Sequence, residues 1–358
     1  MAKWTDLGNI FSTIRELDVG SIVAEADQPC SIVCVGHAAA IAAVSRMLYS
    51  GPQRYPLPGG NPLTIIPLEQ AGEQIATIRT AHLLILAIDG TRPISPSEAE
   101  GFSRLDQLAI PYLVTVIGGV AFPSGAQLSP AALARQVAIP EPQALTAPDT
   151  LAQAILDRLP AELHLSAARR LPGLRPIFSR ELIAQTSFSN ATYALASGLP
   201  EQIPVLGVPF AAADIFILTK NQALLVFRLA LAHAAAPDFQ ARIAEIIPVI
   251  GSAFLWRQAA RSLIGLIPIW GLVPKVAIAY AGTYTTGIAA WRWYEQGEMA
   301  STDQIKRISQ EAIALGRQRA EELIAKAKET SGRLGGQARS TTDRLKQAVQ
   351  KRIPSPRK

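Results

Sequence analysis

The sequence predicts an α/β fold, a doubly wound and mostly parallel sheet, followed by an all-α hydrophobic region and a helical basic tail. Three apolar runs rich in β-branched residues carry the first part: Ser31–Val35, His82–Asp89 and Pro111–Ile117 read as strands buried on both faces. Helical segments lie between them, and strands alternating with helices build parallel sheets. A change of composition carries the rest, because from Leu182 to Glu295 only long Ala/Leu/Ile runs occur, broken by Pro and Gly.

Taken in order, residues 1–29 read as an amphipathic helix (Leu7, Ile10, Phe11, Ile14, Leu17) and a polar approach to the first strand. With Asp6, Glu16 and Asp18 in it, this start has no basic region leading into an apolar one, so it is expected to be cytoplasmic. The first strand ends at Gly36, and Ala38–Leu48 follows as an Ala-rich helix. Gly51 to Pro62 holds four prolines and three glycines and is a loop. Leu63–Ile66 is a candidate short strand, and a helix from about Glu69 to Thr80 leads to the strand ending at Asp89. In Ser95-Pro-Ser-Glu98, Ser stands at N-cap, Pro at N1 and Glu at N3, a capping box that opens a helix running to Leu108. Thr146-Ala-Pro-Asp149 repeats the signal before a helix over Leu151–Leu159. Residues 161–181, with Arg169, Arg170, Arg175 and Arg180 among prolines, read as a linker.

Hydrophobic residues make up 49% of the 358 and charged residues 17%, with mean hydropathy +0.21. Soluble globular chains carry roughly 25% charged residues, so much of this one is deeply buried or in lipid. Ile203–Thr219 has one charge in 17 residues, Asp214, and Ser262–Trp291 one in 30, Lys275. The second run exceeds the ~20 residues that span a bilayer and the first falls at the bottom of that range. Charges alone in hydrocarbon are costly, which singles out Asp214 and Lys275. Ala277, Ala281, Thr285 and Ala289 recur every four residues, a stripe of small side chains that lets another helix approach closely. Trp291, Trp293 and Tyr294 beside Arg292 end the apolar run as an interfacial aromatic anchor does.

The net charge of +6 belongs to the tail: residues 298–358 hold 14 Lys/Arg and 7 Asp/Glu, net +7, against 20 and 21 before them. Ser301 and Gln304 form another capping box, and Ile305, Ile308, Ala312, Leu315, Ala320, Leu323 and Ile324 give a helical stripe. With no aromatic residue from Glu298 onward, the tail is not read as a specific nucleic-acid binder.

Site chemistry is sparse. A phosphate-binding loop of pattern G-x-x-x-x-G-K-[ST] beginning at Gly36 would need its glycine, lysine and hydroxyl at Ile41, Ala42 and Ala43. None of the three can do that work. His37, His82, His164 and His233 share no metal-ligand spacing with one another or with Cys30 and Cys34, and they read as structural. The two cysteines sit four residues apart in extended chain, ~13 Å, beyond disulfide reach.

Residues 30 to 297 resemble the bacterial family in which an Era-like GTPase domain precedes a hydrophobic helical domain, the domain of unknown function 697. The resemblance rests on Ala81–Ile117 with Asp89-Gly-Thr-Arg-Pro93, on Ile203–Gln222 with Pro204-Val-Leu-Gly-Val-Pro209, and on Leu266-Ile-Pro268 through Tyr280-Ala-Gly-Thr-Tyr284. It implies a sheet of P-loop GTPase type and places the loop 51–62 where GTPases carry a switch segment. The magnesium-linked D-x-x-G has its nearest match in Glu69-Gln-Ala-Gly72, and the guanine-reading N-K-x-D falls on Ile117-Gly-Gly-Val120, without amide or carboxylate. What remains of a nucleotide site is Gly36, Glu69 and Gly72.

The organisation expected is a degenerate GTPase-like domain over 1–160, the linker 161–181, a membrane-associated helical domain over 182–297 and an amphipathic helix with basic tail over 298–358. The function expected is that of a non-catalytic pseudo-GTPase, an interaction or regulatory platform without cofactor, at the cell inner membrane with both ends cytoplasmic. Its partners would be anionic lipid, held by the tail, and a protein or a second copy of the chain. Two rival readings are a divergent GTPase that binds GTP and Mg²⁺ weakly, and a soluble helical scaffold.

Overall fold

The computed structural model describes residues 17–123, 128–198, 212–250, 272–301 and 303–326. It divides into two compact units: one draws on Met1–Gln185, Thr219–Ser252 and Thr286–Thr302, the other on Thr186–Leu218, Ala253–Thr285 and Asp303–Lys358.

The first unit is built on the sheet. After α1 (Gly20–Asp27) the chain runs through β1 (Ile32–Gly36), α2 (Ala38–Leu48), β2 (Leu63–Pro67), α3 (Ile75–Arg79), β3 (Leu83–Asp89), α4 (Pro96–Asp106), β4 (Tyr112–Ile117), α5 (Pro130–Leu133), β5 (Gln136–Ile139) and α6 (Ala147–Leu156). The five strands are all parallel, in the order β2-β1-β3-β4-β5. Alternate residues divide the strands between two faces. Val33, Val35, Leu84, Leu86, Ile88 and Val114 pack with Ile78 of α3 and Phe102 and Leu105 of α4. Ile32, Cys34, Ile85, Ala87 and Leu113 are buried on the other face, where α2 packs on β1, β3 and β4 and meets α6. Each such side chain taken from water stabilises by roughly 1.5–3 kcal/mol, which is why these strands read as continuous apolar runs.

The predicted strands and the Ser95 cap therefore stand, with Ser95 Oγ accepting from the Glu98 N–H and Glu98 reaching back to the Ser95 N–H. Other expectations are corrected. The helix expected over Glu69–Thr80 is a 3₁₀ turn, Leu68–Gln70, a hydrogen-bonded turn containing Gly72, and the short α3, since glycine is a poor helix former. Thr146 makes no side-chain cap, because its backbone (φ −86°, ψ −13°) is already helical and not extended. β5 was not foreseen: it is an edge strand with three of four residues half-buried, so it lacks the apolar run of the others.

Residues 161–181 are not a linker. Two 3₁₀ turns, Ala161–Leu163 and Pro172–Leu174, flank α7 (His164–Arg170), and α8 (Arg175–Gly198) begins directly after them. Leu163, Leu165, Ala167, Ala168, Leu171 and Leu174 are buried. Two of the arginines that suggest a solvated segment, Arg169 and Arg175, are instead buried and used on backbone carbonyls, most of them at helix ends. Arg169 Nη1 donates to Leu231 O (2.9 Å) and Ala235 O (3.0 Å), and Arg175 donates to Ala168 O, Arg169 O and Pro52 O at 3.2 Å each. A guanidinium has five donors in a fixed fork, and terminal carbonyls lack partners within their own helix. Burial, then the charge of Arg169, pushes Arg175 down to about 10.

The rest of the described chain is helical: α9 (Ala212–Ala232), α10 (Phe239–Ile250), α11 (Leu272–Gln296) and α12 over 303–326. In the second unit Ala191 and Leu195 of α8, Val276, Ala277 and Tyr280 of α11 and Ala320 of α12 form one core. Inside this unit Asn190 Nδ2 donates to Thr283 Oγ1 at 2.8 Å. The small-residue stripe is buried along its length, and at Ala277 it admits Gly316 of α12, where an added Cβ would lie 2.6 Å from the Ala277 carbonyl oxygen. Among the described residues no helix is long and apolar enough to cross a membrane. Residues 203–211 and 262–271 of the two apolar runs lie outside the described residues.

Candidate functional site

In a sheet of this order the strand sequence reverses between β1 and β3, and the crevice outside their carboxyl ends is where open α/β sheets hold ligands. Here that place is filled from within. Gly36 presses against β3 so closely that a Cβ would stand 1.9 Å from the Ala87 carbonyl oxygen. The next N–H, on His37, donates to the same oxygen at 3.0 Å. A backbone donor that a phosphate loop would turn toward its ligand is thus part of the sheet edge.

The His37 ring is buried, edge-on to Phe102 with centroids 5.4 Å apart. Its Nδ1 accepts from the Asp89 N–H at 2.9 Å, which fixes the tautomer: the proton is on Nε2, 3.3 Å from Glu98 Oε1 and short of hydrogen-bond alignment. Burial, then the positive charge of Arg92, holds His37 below its ordinary pKa against the opposing pull of Glu98. Glu98 is gripped by Arg92 through Nη2 (2.7 Å) and Nη1 (3.2 Å), and the Arg92 hydrogen bond above all pushes its carboxyl down to about 2. Asp89 accepts from the Thr91 hydroxyl (2.6 Å) and N–H (3.0 Å), with the hydroxyl bond foremost in holding its carboxyl below the usual range.

This cluster is a closed polar network. A general base needs a free lone pair, and the only unprotonated nitrogen of His37 is occupied by the Asp89 amide. Two ionised carboxylates face one guanidinium, leaving a net negative charge where a polyphosphate would have to sit. Glu69 and Gly72 do not join the network. Both are exposed beyond the end of β2, with open space around the Gly72 Cβ position, although the charge of Glu69 is felt at His37. Ile117-Gly-Gly-Val120 closes on the neighbouring loop, the Gly90 N–H donating to Ile117 O at 2.7 Å, and leaves Val120 exposed. Among the described residues no group of three His, Cys, Asp or Glu side chains is placed to hold a metal ion.

Sequence spacing does not disclose His37, because its partners lie 52 and 61 positions away, but the Ser95–Glu98 cap was a usable signal for where the carboxylate would be. Lys275, read as a lone intramembrane charge, is buried in α11 at 9% exposure. The side chain of Asp214 lies outside the described residues. Trp291 is half-buried, and Trp293 carries Arg54 over its ring, Cζ 4.3 Å from the centroid, while Arg54 Nη1 donates to the Trp293 carbonyl at 2.7 Å. Trp293 is thus engaged by its own chain, through both its ring and its carbonyl. No protein-family model matches this chain, and no curated protein or solved structure matches it.

Proposed function

We propose that the α/β part is a pseudo-GTPase, a non-catalytic platform for a protein partner, held at a membrane surface by the basic tail. The observation that carries this reading is the use of the Gly36–His37 turn by β3, with His37 and the Arg92–Glu98 pair filling the crevice beside it. Phosphoryl transfer asks for donors and a metal that neutralise developing charge, and this crevice presents carboxylates. A platform reading asks only that the sheet be rigid and its loops be held. The tail, net +7 over residues 298–358, supplies the attraction to anionic lipid.

Calorimetry of the full chain with Mg·GTP tests the first half. The outcome expected is a dissociation constant of about 1 mM or weaker, and no turnover. A micromolar constant, or hydrolysis that disappears in Glu69→Ala, overturns it in favour of a divergent GTPase. Flotation with vesicles of anionic and of neutral lipid tests the second half, with binding expected to the anionic set alone and to weaken as salt rises.

A further inference from the structure

At the opposite end of β4 from the crevice, the sheet has a second recess of about 510 Å³, lined by Asp106, Leu108, Ile110, Tyr112, Ser129 and Arg135 among others. We propose that this groove binds a small organic carboxylate, with Arg135 as the anion contact. Its volume is in the ~300–1,000 Å³ range of small-molecule sites.

The chemistry of the lining selects the ligand. Leu108, Ala109, Ile110, Pro111 and Ala131 give it apolar walls. The groove's one carboxylate, Asp106, is occupied: Oδ1 accepts from the Tyr112 hydroxyl at 2.5 Å and Oδ2 from the Ser129 N–H at 3.0 Å. Those bonds pin a tyrosine ring that is 4% exposed, and the Arg135 guanidinium lies on its face, Cζ 4.7 Å from the centroid. The guanidinium is thus held over the ring and also hydrogen-bonds the Tyr112 side chain, which leaves the rest of its five donors for a ligand. Asp106 feels the charge of Arg135, yet among the described residues no carboxylate is in ion-pair contact with it. Burial pushes the Asp106 carboxyl up, but the Tyr112 and Ser129 hydrogen bonds outweigh it, so the carboxylate stays ionised and is committed to those partners. A guanidinium held at the groove by Tyr112, with donors left over beside apolar walls, suits a planar carboxylate that carries a short hydrocarbon body.

The test is a saturation-transfer NMR titration of the full chain with benzoate and with benzamide, a neutral molecule of the same shape. Benzoate is expected to bind saturably and at least about tenfold tighter than benzamide, with the difference shrinking as salt rises. Arg135→Gln should bring benzoate down to the benzamide level, while Arg104→Gln, which removes an exposed arginine of α4, should change neither. Tyr112→Phe frees Asp106 to pair with Arg135 and should also weaken benzoate. Equal binding of the two molecules by the unmodified protein overturns the proposal, as does benzoate binding untouched by Arg135→Gln, equal loss in Arg104→Gln, or no saturation.

Discussion

Glu98 Oε1 lies 3.3 Å from His37 Nε2 while the same carboxylate closes the cap on Ser95 and holds Arg92. One side chain therefore joins the start of α4 to the turn after β1. Its carboxyl is pushed from an ordinary 4.5 to about 2 in the folded chain, so on acidification the unfolded chain takes up the proton first. The stability this gives is present above pH ~4.5 and is lost as pH falls toward ~2. Urea unfolding of the protein and of Glu98→Gln at several pH values should show the variant less stable by about 0.5–1.5 kcal/mol at pH 7, with the gap closing across that window. A gap independent of pH would mean that packing, and not charge, is what Glu98 contributes.

His233 gives a second window. It is buried at the end of α9, stacked on Tyr294 with centroids 6.5 Å apart, and Nδ1 lies 2.9 Å from Leu229 O. Burial above all pushes its pKa down from 6.5 to about 4. The unfolded chain binds the proton first here as well, so stability falls as pH drops from ~6.5 to ~4. His233→Phe should remove that part of the pH slope while leaving the part below it that Glu98 produces.

Two glycines of the proposed remnant nucleotide site should behave oppositely. Gly36→Ala puts a methyl 1.9 Å from the Ala87 carbonyl and should cost more than ~3 kcal/mol or prevent folding. Gly72→Ala meets nothing within 4 Å and should stay within about 0.5 kcal/mol by thermal denaturation. A tolerated Gly36→Ala would show that the turn after β1 stands away from β3.

Arg54 ties the Pro- and Gly-rich loop between α2 and β2 to the end of α11 through the ring and carbonyl of Trp293. Arg54→Ala should cost about 0.5–1.5 kcal/mol and raise the rate of limited proteolysis at the exposed residues near Gly59 and Gly60. Unchanged cleavage would show that Arg175, which donates to Pro52 O, is sufficient to hold the loop.

In the second unit, Gly316→Leu should separate α12 from α11, because even a Cβ would lie 2.6 Å from the Ala277 carbonyl. Hydrogen exchange should then accelerate across residues 303–326 by tenfold or more, on the order of 1.4 kcal/mol of lost protection, while the strands of the sheet keep theirs.

The parts of the fold that could be read in advance are those decided by local pattern. β1, β3 and β4 are buried on both faces and show it as apolar runs, and the Ser95–Glu98 cap is a matter of four adjacent residues. What escaped depended on partners distant in sequence. Arg169 and Arg175 look solvated until the carbonyls of Leu231, Ala235 and Pro52 are brought to them. His37 looks isolated until Asp89 and Glu98 reach it. β5 is half-exposed, and its pairing with β4 is what makes it a strand. Of the residues expected to remain from a nucleotide site, Gly36 is the one that packs against β3, in a close approach that no motif encodes.

The unit that holds the sheet is discontinuous in the chain, taking residues up to Gln185 and then two later stretches, Thr219–Ser252 and Thr286–Thr302. On the ribosome, at ~5–20 residues per second, Arg169 emerges several seconds before the Leu231 and Ala235 carbonyls it will serve, and Arg54 longer still before Trp293. During that interval a buried-type arginine and an apolar helical layer stand open to water. The nascent sheet must therefore be tolerant of waiting, or be shielded by a chaperone, until residue 302 has left the exit tunnel. A chain cut at residue 185, which keeps Arg169 and lacks both later stretches, would remain in that waiting state permanently.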